Sequence, residues 1–221
     1  MEFIDVLKSR RSIRAFKPDP VPMDILRKIM EQCVWAPSWA NTQPWEFAVA
    51  TGKPLQEIIK QFLAKGDTKP YPDIPRPPEF PEPYISRIKA LAPPGPPPTK
   101  EQMEQRRINS WSHYGAPVVI YILIDRSFFY QSQGINFWSL YDCGAVAQNI
   151  CLLATNYGLG TVEQAQAVTF PDILRKVLGV PESKLFVIGI ALGYPDWENP
   201  AMKMPRSTRE PIEKTVKYYG F

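Results

Sequence analysis

Histidine is nearly absent from this chain of 221 residues, which contains only His113. A Ser–His–Asp triad, a Cys–His nucleophile or a histidine-rich metal site would each have to use that one imidazole or do without it. His113 lies between Trp111 and Tyr114 at the end of a predicted helix, where a packed or capping histidine is the simpler interpretation. A chain with so little acid–base equipment either binds other molecules or takes its chemistry from a cofactor.

Several further classes of protein are not expected, because the chain has few cysteines, no long apolar run and no concentrated charge. Cys33, Cys143 and Cys151 lack the spacing of metal ligands, so buried free thiols in a reducing compartment are predicted, and no metal site. The longest apolar run, 116–124, is too short to span a bilayer, and the N-terminus lacks the apolar core of a signal peptide. The 26 Lys and Arg residues are spread along the chain, so no nucleic-acid-binding patch is expected. We predict a cytoplasmic protein that binds neither membranes nor nucleic acids.

Apolar periodicity predicts an α+β fold in which helices pack around a small central sheet. Strands are expected at 46–50, with Phe47 and Val49 facing inward, and at 116–124 and 185–192. Helices are expected near the N-terminus, after Pro22, and over 54–65, 100–111, 138–157, 171–178 and 211–218. Small residues on the 138–157 helix would let another helix approach closely: Gly144, Ala145 and Ala147. No GxGxxG or GxxxxGK[ST] motif supports a Rossmann or P-loop site.

A proline-rich segment interrupts this pattern. Residues 69–98 hold 12 of the 25 prolines, and proline fixes φ and lacks a backbone donor, so regular helix or a central strand is not expected there. An interdomain linker is one interpretation. Four apolar side chains favour an ordered insertion instead: Phe80, Tyr84, Ile85 and Ile88. We therefore predict one domain, 1–221, with an insertion or lid at about 67–98 and a C-terminal extension at about 200–221.

Two basic stretches are candidates for binding phosphate. Three arginines and a serine fall within five residues near the N-terminus: Arg10, Arg11, Ser12 and Arg14. Guanidinium groups bind phosphate oxygens bidentately, so such a cluster suits a terminal phosphate. A second stretch, 204–211, contains Arg206 and Arg209. The alternatives are a solvated cationic end of the first helix and an ordinary surface loop.

Two polar loops are candidates for contacts with a flat heteroaromatic ring. Residues 36–45, APSWANTQPW, hold hydroxyl and amide groups between two prolines; the alternative is a helix-to-strand turn. Residues 158–165, GLGTVEQA, follow a predicted helix and would present backbone N–H groups to a ligand. The alternative there is a helix C-cap that leads into a strand.

The order and spacing of these motifs resemble the nitroreductase family of FMN enzymes. The resemblance rests on RRSIRAF, APSWANTQPWEF, LGLGT, ALGYP and a late R-x-x-R-x-P, and it covers essentially the whole chain. The proline-rich insertion with PEPYISR and the ending KYYGF are similar to the branch that includes nitroaromatic reductases of bacterial catabolism.

The resemblance implies a nitroreductase-like fold with a small, mostly antiparallel central sheet packed by helices, an intertwined homodimer and non-covalent FMN at the subunit interface. The cofactor-binding positions that it implies are Arg10, Arg11, Ser12, Arg14, Pro37, Ser38, Trp39, Asn41, Asn109, Glu163, Gln164, Ala165, Arg206 and Arg209. In this interpretation the arginines hold the phosphate, the 37–41 stretch reaches the flavin from the partner subunit, and the 164–165 backbone faces flavin N5. Candidate lid residues are Phe80, Tyr84, Phe137 and Trp138, with core or dimer packing as the alternative.

The implied activity is hydride transfer from NADH or NADPH, by ping-pong turnover, to an electron-poor acceptor such as a nitroaromatic, a quinone or an activated alkene. Because the chemistry resides on flavin N5, no catalytic side chain is predicted. Many members carry Cys-Pro or Trp-Ile after GLGT, where this chain has Val162-Glu163, which leaves the N5 contact and the pocket shape open. The alternatives are a reductive dehalogenase or other specialised flavin enzyme on the same fold, a non-catalytic flavin-binding protein, and a proline-rich interaction scaffold.

Overall fold

The computed structural model describes residues 1–75, 77–92, 95–130 and 134–221. Its helices are α1 (Phe3–Ser9), α2 (Met23–Cys33), α3 (Gly52–Ala64), α4 (Tyr84–Lys89), α5 (Lys100–Trp111), α6 (Phe137–Asn156), α7 (Pro171–Leu178) and α8 (Ile212–Thr215). Its strands are β1 (Trp45–Thr51), β2 (Val118–Asp125), β3 (Phe129–Tyr130), β4 (Gly134–Ile135), β5 (Gly160–Gln164) and β6 (Lys184–Gly193). The predicted α+β class is confirmed.

Four antiparallel strands form the central sheet, in the order β1-β2-β6-β5. Side chains alternate between the two faces of a strand, and on β2 both faces are buried: Tyr121 packs with α3, α5 and α7, whereas Ile120 packs with α2 and α6. Helices on both sides explain why the sequence of β2 is apolar throughout rather than alternating. The sheet therefore separates two hydrophobic cores.

The long helix α6 is built as its sequence predicts. The side chain of Asn136 caps its start by accepting hydrogen bonds from the backbone N–H groups of Trp138 and Ser139, at 3.0 and 3.4 Å. Its predicted apolar stripe is buried: Cys143, Ala147, Ile150, Cys151 and Ala154. Gly158, with φ +76°, follows the end of the helix. Within the described residues, neither α6 nor any other helix is long and apolar enough to cross a membrane.

Two details of the predicted elements are wrong. Val49 does not face the core: it lies on the edge strand β1 and is 39% exposed. The helix expected over 211–218 is limited to the single turn of α8, and Val216 is already extended. This segment buries no side chain of α8, and a short helix without tertiary contacts is unstable in water.

The proline-rich segment is more regular and less buried than expected. It contains the short helix α4, although no helix was predicted there. Phe80, Tyr84 and Ile88, which were expected to anchor it, are exposed, and only Ile85 is half-buried. Arg76, Pro93 and Pro94 lie outside the described residues.

The contacts that hold this segment occur at its beginning. The carboxylate of Asp73 pairs with Arg175 on α7 at 2.7 Å and accepts a hydrogen bond from the backbone N–H of Phe186 on β6 at 2.9 Å. The ring of Tyr71 packs against Phe170, with centroids 5.3 Å apart. A buried charged pair, together with apolar contacts of Tyr71 and Ile74 rather than of the four expected anchors, fixes the beginning of the insertion to the body.

Candidate functional site

The two basic stretches from opposite ends of the chain meet in the structure. The guanidinium of Arg206 donates hydrogen bonds to the backbone carbonyls of Lys8 and Arg10, the second at 2.7 Å. In return, Arg11 donates to the carbonyl of Met204 at 2.9 Å. The last carbonyls of a helix have no partner within it, so Arg206 satisfies groups at the end of α1. The predicted convergence of these stretches is present within a single chain.

The arginines at this junction differ in what remains available to a ligand. Within the described residues, the guanidinium groups of Arg10 and Arg14 make no hydrogen bond or ion pair. Arg209 donates to the backbone and hydroxyl oxygens of Ser207 and to the carbonyl of Thr208. Donors of Arg206 are directed at backbone carbonyls, so its observed contacts position the N-terminal stretch.

The N-terminal stretch lies along the edge strand β5. Ser12 forms a parallel bridge with Thr161, and the N–H of Ile13 donates to the carbonyl of Thr161 at 2.9 Å. Gly160 permits this close approach, because a Cβ there would lie 2.4 Å from the side chain of Ile13 and 2.8 Å from that of Pro195. The GLGT motif is thus a helix end that leads into a strand, and its second glycine makes room for the basic stretch.

The far end of β5 carries a buried polar pair. The side chain of Gln164 donates to the carbonyl of Ser110 at 3.0 Å, and its oxygen lies 3.2 Å from Nδ1 of His113. Both side chains are buried, whereas the next residue, Ala165, is exposed. Asn109, on α5 beside Ser110, is also exposed and accepts a hydrogen bond from Gln105 at 2.8 Å. Gln164 therefore contacts the residue that follows Asn109 in the sequence.

Burial decides the protonation state of His113. Removal from water lowers its pKa to about 4, and the hydrogen bond with Gln164 opposes this only in part. The imidazole is neutral at pH 7. The sequence-based interpretation of His113 as a packed residue is confirmed.

Glu163 points away from this pair, towards α6. The thiol of Cys151 donates to its carboxylate at 3.6 Å. Burial first, and the charge of Glu163 second, raise the pKa of Cys151 to about 12, so that thiol is unreactive. Burial also raises the pKa of Cys33 to about 11 and that of Cys143 to about 12. The prediction of buried free thiols is confirmed.

The 37–41 stretch forms a strained loop on α6. Ala40, Asn41 and Gln43 all have positive φ, between 44° and 56°, which costs energy for residues with a side chain. The backbone N–H of Trp39 donates to Asp142 on α6 at 3.1 Å, and that of Gln43 donates to Ser38 Oγ at 3.0 Å. These bonds hold the loop in an unfavourable conformation, as is common at binding sites.

The predicted lid residues lie on two different elements, and their role stays a prediction. Phe80 and Tyr84 lie in the insertion, Phe137 and Trp138 lie at the start of α6, and all four side chains are exposed. The insertion is tied to the C-terminal stretch, because Arg87 on α4 pairs with Glu210 at 3.2 Å. This contact links the insertion to the stretch that carries Arg206 and Arg209.

Sequence reasoning missed the residues that hold the site in place. Asp142 is only 2% exposed, and a carboxylate within an apolar helix stripe is a signal that it accepts a specific hydrogen bond. Asp73 and Arg175 were missed because they are about 100 residues apart in the sequence and their pairing depends on the tertiary fold.

Known proteins share both the sequence pattern and the fold of this chain. The model of the nitroreductase family matches residues 7–194. The 4-nitrobenzoate reductase of Nocardioides sp. is 29% identical, covering 98% of this chain and 89% of that protein, and the nitrobenzene nitroreductase of Ectopseudomonas oleovorans is 29% identical, covering 96% and 95%. The crystal structure of the FMN-dependent nitroreductase NfnB from Mycobacterium smegmatis in complex with NADPH superposes with a TM-score of 0.84 at 26% identity, covering 98% and 97%. The resemblance found in the motifs is confirmed, and the chain belongs to the nitroreductase family.

Proposed function

We propose that this chain is an FMN-dependent oxidoreductase that uses NADH or NADPH to reduce an electron-poor acceptor. The observation that carries the proposal is the meeting of the basic stretches around Arg10 and Arg206 beside β5. The same strand ends at the buried Gln164 and the exposed Ala165. The site therefore has a cationic end at the arginines and a neutral end at Gln164, and β5 joins the two. This arrangement suits an elongated cofactor with a phosphate at one end.

The residues present fit the phosphate of FMN. Arg10 and Arg14 offer guanidinium donors without protein partners in the described part of the chain, and the half-buried Ser12 adds a hydroxyl between them. Guanidinium pairs with phosphate are charge-assisted and directional. Arg206 supports the cluster by fixing the backbone at residues 8 and 10.

The residues at the other end of β5 fit the ring system. Ser12 pairs with Thr161, three residues before Gln164, which places the two ends about 10 Å apart along an extended strand. The backbone at Gln164 and Ala165 is held by side-chain contacts below it and is accessible at Ala165. When bound, FMN supplies two-electron redox chemistry at N5 of its ring. The role of the chain is to orient that ring and to direct donors at it.

The nicotinamide donor and the acceptor class are supported by relatives. NfnB of M. smegmatis is described as FMN-dependent and was crystallised with NADPH, and two relatives are named for nitrobenzoate and nitrobenzene. We extend this to the present chain as NAD(P)H-dependent reduction of a nitroaromatic, a quinone or an activated alkene in ping-pong order. The cytoplasm, where the nicotinamide pool and reduced thiols coexist, is the proposed location.

An exposed apolar surface supports a homodimer. Large side chains around α6 and the strained loop face solvent in the single chain: Trp35 (86%), Trp39, Phe137 (77%), Trp138 and Tyr141 (72%). Trp138 and Tyr141 contact each other edge to face, with ring centroids 6.4 Å apart, and large exposed apolar surfaces are typical of interfaces. In the described part of the chain, no strand pairs with the outer edge of β1, and the extended C-terminus ends in exposed Tyr218, Tyr219 and Phe221. A second copy would cover these features and bring its own 37–41 loop to the pocket.

The proposal is tested by flavin binding and by reduction. Purified protein is expected to carry FMN, and anaerobic NADPH or NADH should bleach the absorbance of the bound flavin. Replacement of Arg10 and Arg14 together by alanine should weaken FMN binding about 100-fold or more, since each charged hydrogen bond contributes about 1.5–3 kcal/mol.

The matched control is Arg27→Ala, an exposed arginine on α2, which should leave FMN affinity unchanged. Protein that binds no FMN, or bound flavin that neither nicotinamide reduces, would contradict the proposal. A flavin that is reduced while no acceptor of the three classes reoxidises it would contradict the acceptor class alone.

A further inference from the structure

We propose that His113 is a positioning residue, which fixes the side chain of Gln164 and with it the 164–165 backbone that faces the flavin ring. This inference rests on the proposed function. The link is a chain of two hydrogen bonds within the folded core, from Nδ1 of His113 to the Gln164 oxygen at 3.2 Å and from the Gln164 amide to the carbonyl of Ser110 at 3.0 Å.

The hydrogen-bond partners assign the tautomer of His113. The carbonyl of Ser110 can only accept, so the Gln164 atom that faces it is the NH₂ group. The other amide atom of Gln164, which faces His113, is then an oxygen and can also only accept. Nδ1 of His113 must therefore carry the proton. The imidazole is the neutral Nδ1–H tautomer, with a lone pair on Nε2.

The other ring nitrogen agrees with this assignment. Nε2 of His113 is buried and has no hydrogen-bond partner among the described residues. A proton there would create a buried cation, and His113 takes part in no ion pair within the described part of the chain. Such a charge is costly to bury. The site accommodates one protonated nitrogen, Nδ1.

His113 is itself held rigidly. Its φ of +51° is followed by +56° at Tyr114 and +80° at Gly115, a run of left-handed residues that needs support from outside. The carbonyl of His113 accepts from Ala116 at 3.1 Å, and that of Tyr114 accepts from Phe16, just after the basic stretch, at 3.2 Å. The turn therefore contacts both the N-terminal stretch and Gln164.

The turn that follows Gln164 packs against the central sheet. Register places Tyr121, Gly189 and Gln164 side by side across β2, β6 and β5, so their side-chain positions share one face. A Cβ on Gly189 would lie 2.5 Å from the Cβ of Ala167 and 3.4 Å from the ring of Tyr121. Ala167 belongs to the turn after β5, so packing holds this turn, while hydrogen bonds with Ser110 and His113 hold the side chain of Gln164.

The tautomer is tested directly by nitrogen NMR of protein labelled with ¹⁵N-histidine. With only one histidine, the spectrum contains a single imidazole. The protein without flavin and with FMN should both show a protonated Nδ1 and an unprotonated Nε2 from pH 8 to pH 5.5. An Nε2–H tautomer, or titration near pH 6.5, would overturn the inference, and this holds whether or not the protein binds FMN.

The positioning role is tested by two variants that differ in one donor. His113→Asn keeps an N–H near the place of Nδ1, and asparagine tolerates positive φ; His113→Phe keeps a flat ring without a donor. We expect H113F to shift the flavin midpoint potential and to slow flavin reduction about tenfold or more, with H113N close to wild type in both. Equal potentials in H113F and wild type would overturn the inference.

Gln164→Leu provides a second route, should H113F fail to fold. It removes the acceptor of the His113 hydrogen bond, and the same shift in potential is expected, with no further shift when H113N is added. An additional shift in the double variant would mean that His113 acts independently of Gln164 and would overturn the inference. Failure of wild-type protein to bind FMN would instead contradict the proposed function, while the NMR result would still decide the tautomer.

Discussion

Burial of the His113 imidazole makes the stability of the folded chain depend on pH. Its folded pKa of about 4 lies below the value of 6.5 expected for an exposed histidine. Above pH 6.5 both states are neutral and the residue has no effect. As the pH falls from 6.5 to 4, the unfolded chain takes up a proton that the folded chain refuses, so stability is lost.

We expect this residue to cost about 2 kcal/mol in free energy of unfolding between pH 7.5 and pH 5. Urea unfolding at both pH values, at constant protein concentration, measures the loss in wild type and in His113→Asn. Carboxylates titrate in both proteins, so the difference between the two losses of unfolding free energy isolates the contribution of the histidine. Equal losses of unfolding free energy in the two proteins would show that the imidazole is not buried as a neutral group.

At the scale of single residues, the sequence identified chemistry better than it identified roles. The basic stretches were recognised because their arginines are close together in the sequence. That Arg206 binds the carbonyls of Lys8 and Arg10 was not predictable, since residues 8 and 206 become neighbours only in the folded chain. The side-chain position of Glu163, towards Cys151 rather than His113, likewise depends on where the strand begins.

At the scale of elements, a buried ion pair is one of the contacts that attach the beginning of the insertion to the body. Asp73 and Arg175 are both about nine-tenths buried, and Arg175 also donates to the carbonyl of Lys184 at 2.7 Å. Replacing Asp73 leaves Arg175 with only the exposed Glu182, at 3.4 Å, as an ion-pair partner among the described residues, so the buried guanidinium loses most of its compensation. The beginning of the insertion should therefore detach when Asp73 is replaced.

Asp73→Ala is expected to destabilise the fold by about 3–5 kcal/mol, or to release the insertion if the body stays folded. Limited proteolysis within 67–98 distinguishes the two, because released chain is cut there first. The matched control is Asp24→Ala, which breaks the exposed pair between Asp24 and Lys28 and should cost less than about 1 kcal/mol. Resistance of the D73A insertion to cleavage, with unchanged stability, would contradict this assignment.

Elements were predictable where burial and periodicity agree. β2 and α6 each carry a continuous or striped apolar pattern, and both were found within a few residues of the predicted bounds. α8 was overestimated because its apolar residues have no core to face within the chain. α4 was missed because the prolines around it outweighed a helical stretch of only six residues.

At the scale of the whole molecule, the exposed aromatic surface around α6 predicts self-association. Light scattering of the purified protein should give twice the mass of one chain. Tyr141→Glu, which places a charge in this surface, should yield monomers and weaken FMN binding at the same time, if the 37–41 loop of a second copy completes the pocket.

Met103→Glu serves as the control, since Met103 is exposed on α5, away from the aromatic surface. It should remain dimeric and retain FMN. Wild-type protein of single-chain mass with full FMN affinity would contradict the shared pocket. Monomeric Y141E with unchanged FMN affinity would show that the dimer exists without contributing to the site.

The hydrogen bonds from Arg206 to the end of α1 make the two termini of this chain depend on one another. Proteolytic cleavage before Arg206 would also remove the hydrogen bonds that hold the end of α1 and the stretch that follows it. Loss of the C-terminal stretch therefore also releases the N-terminal one, and under the proposed function a truncated chain should bind FMN more weakly.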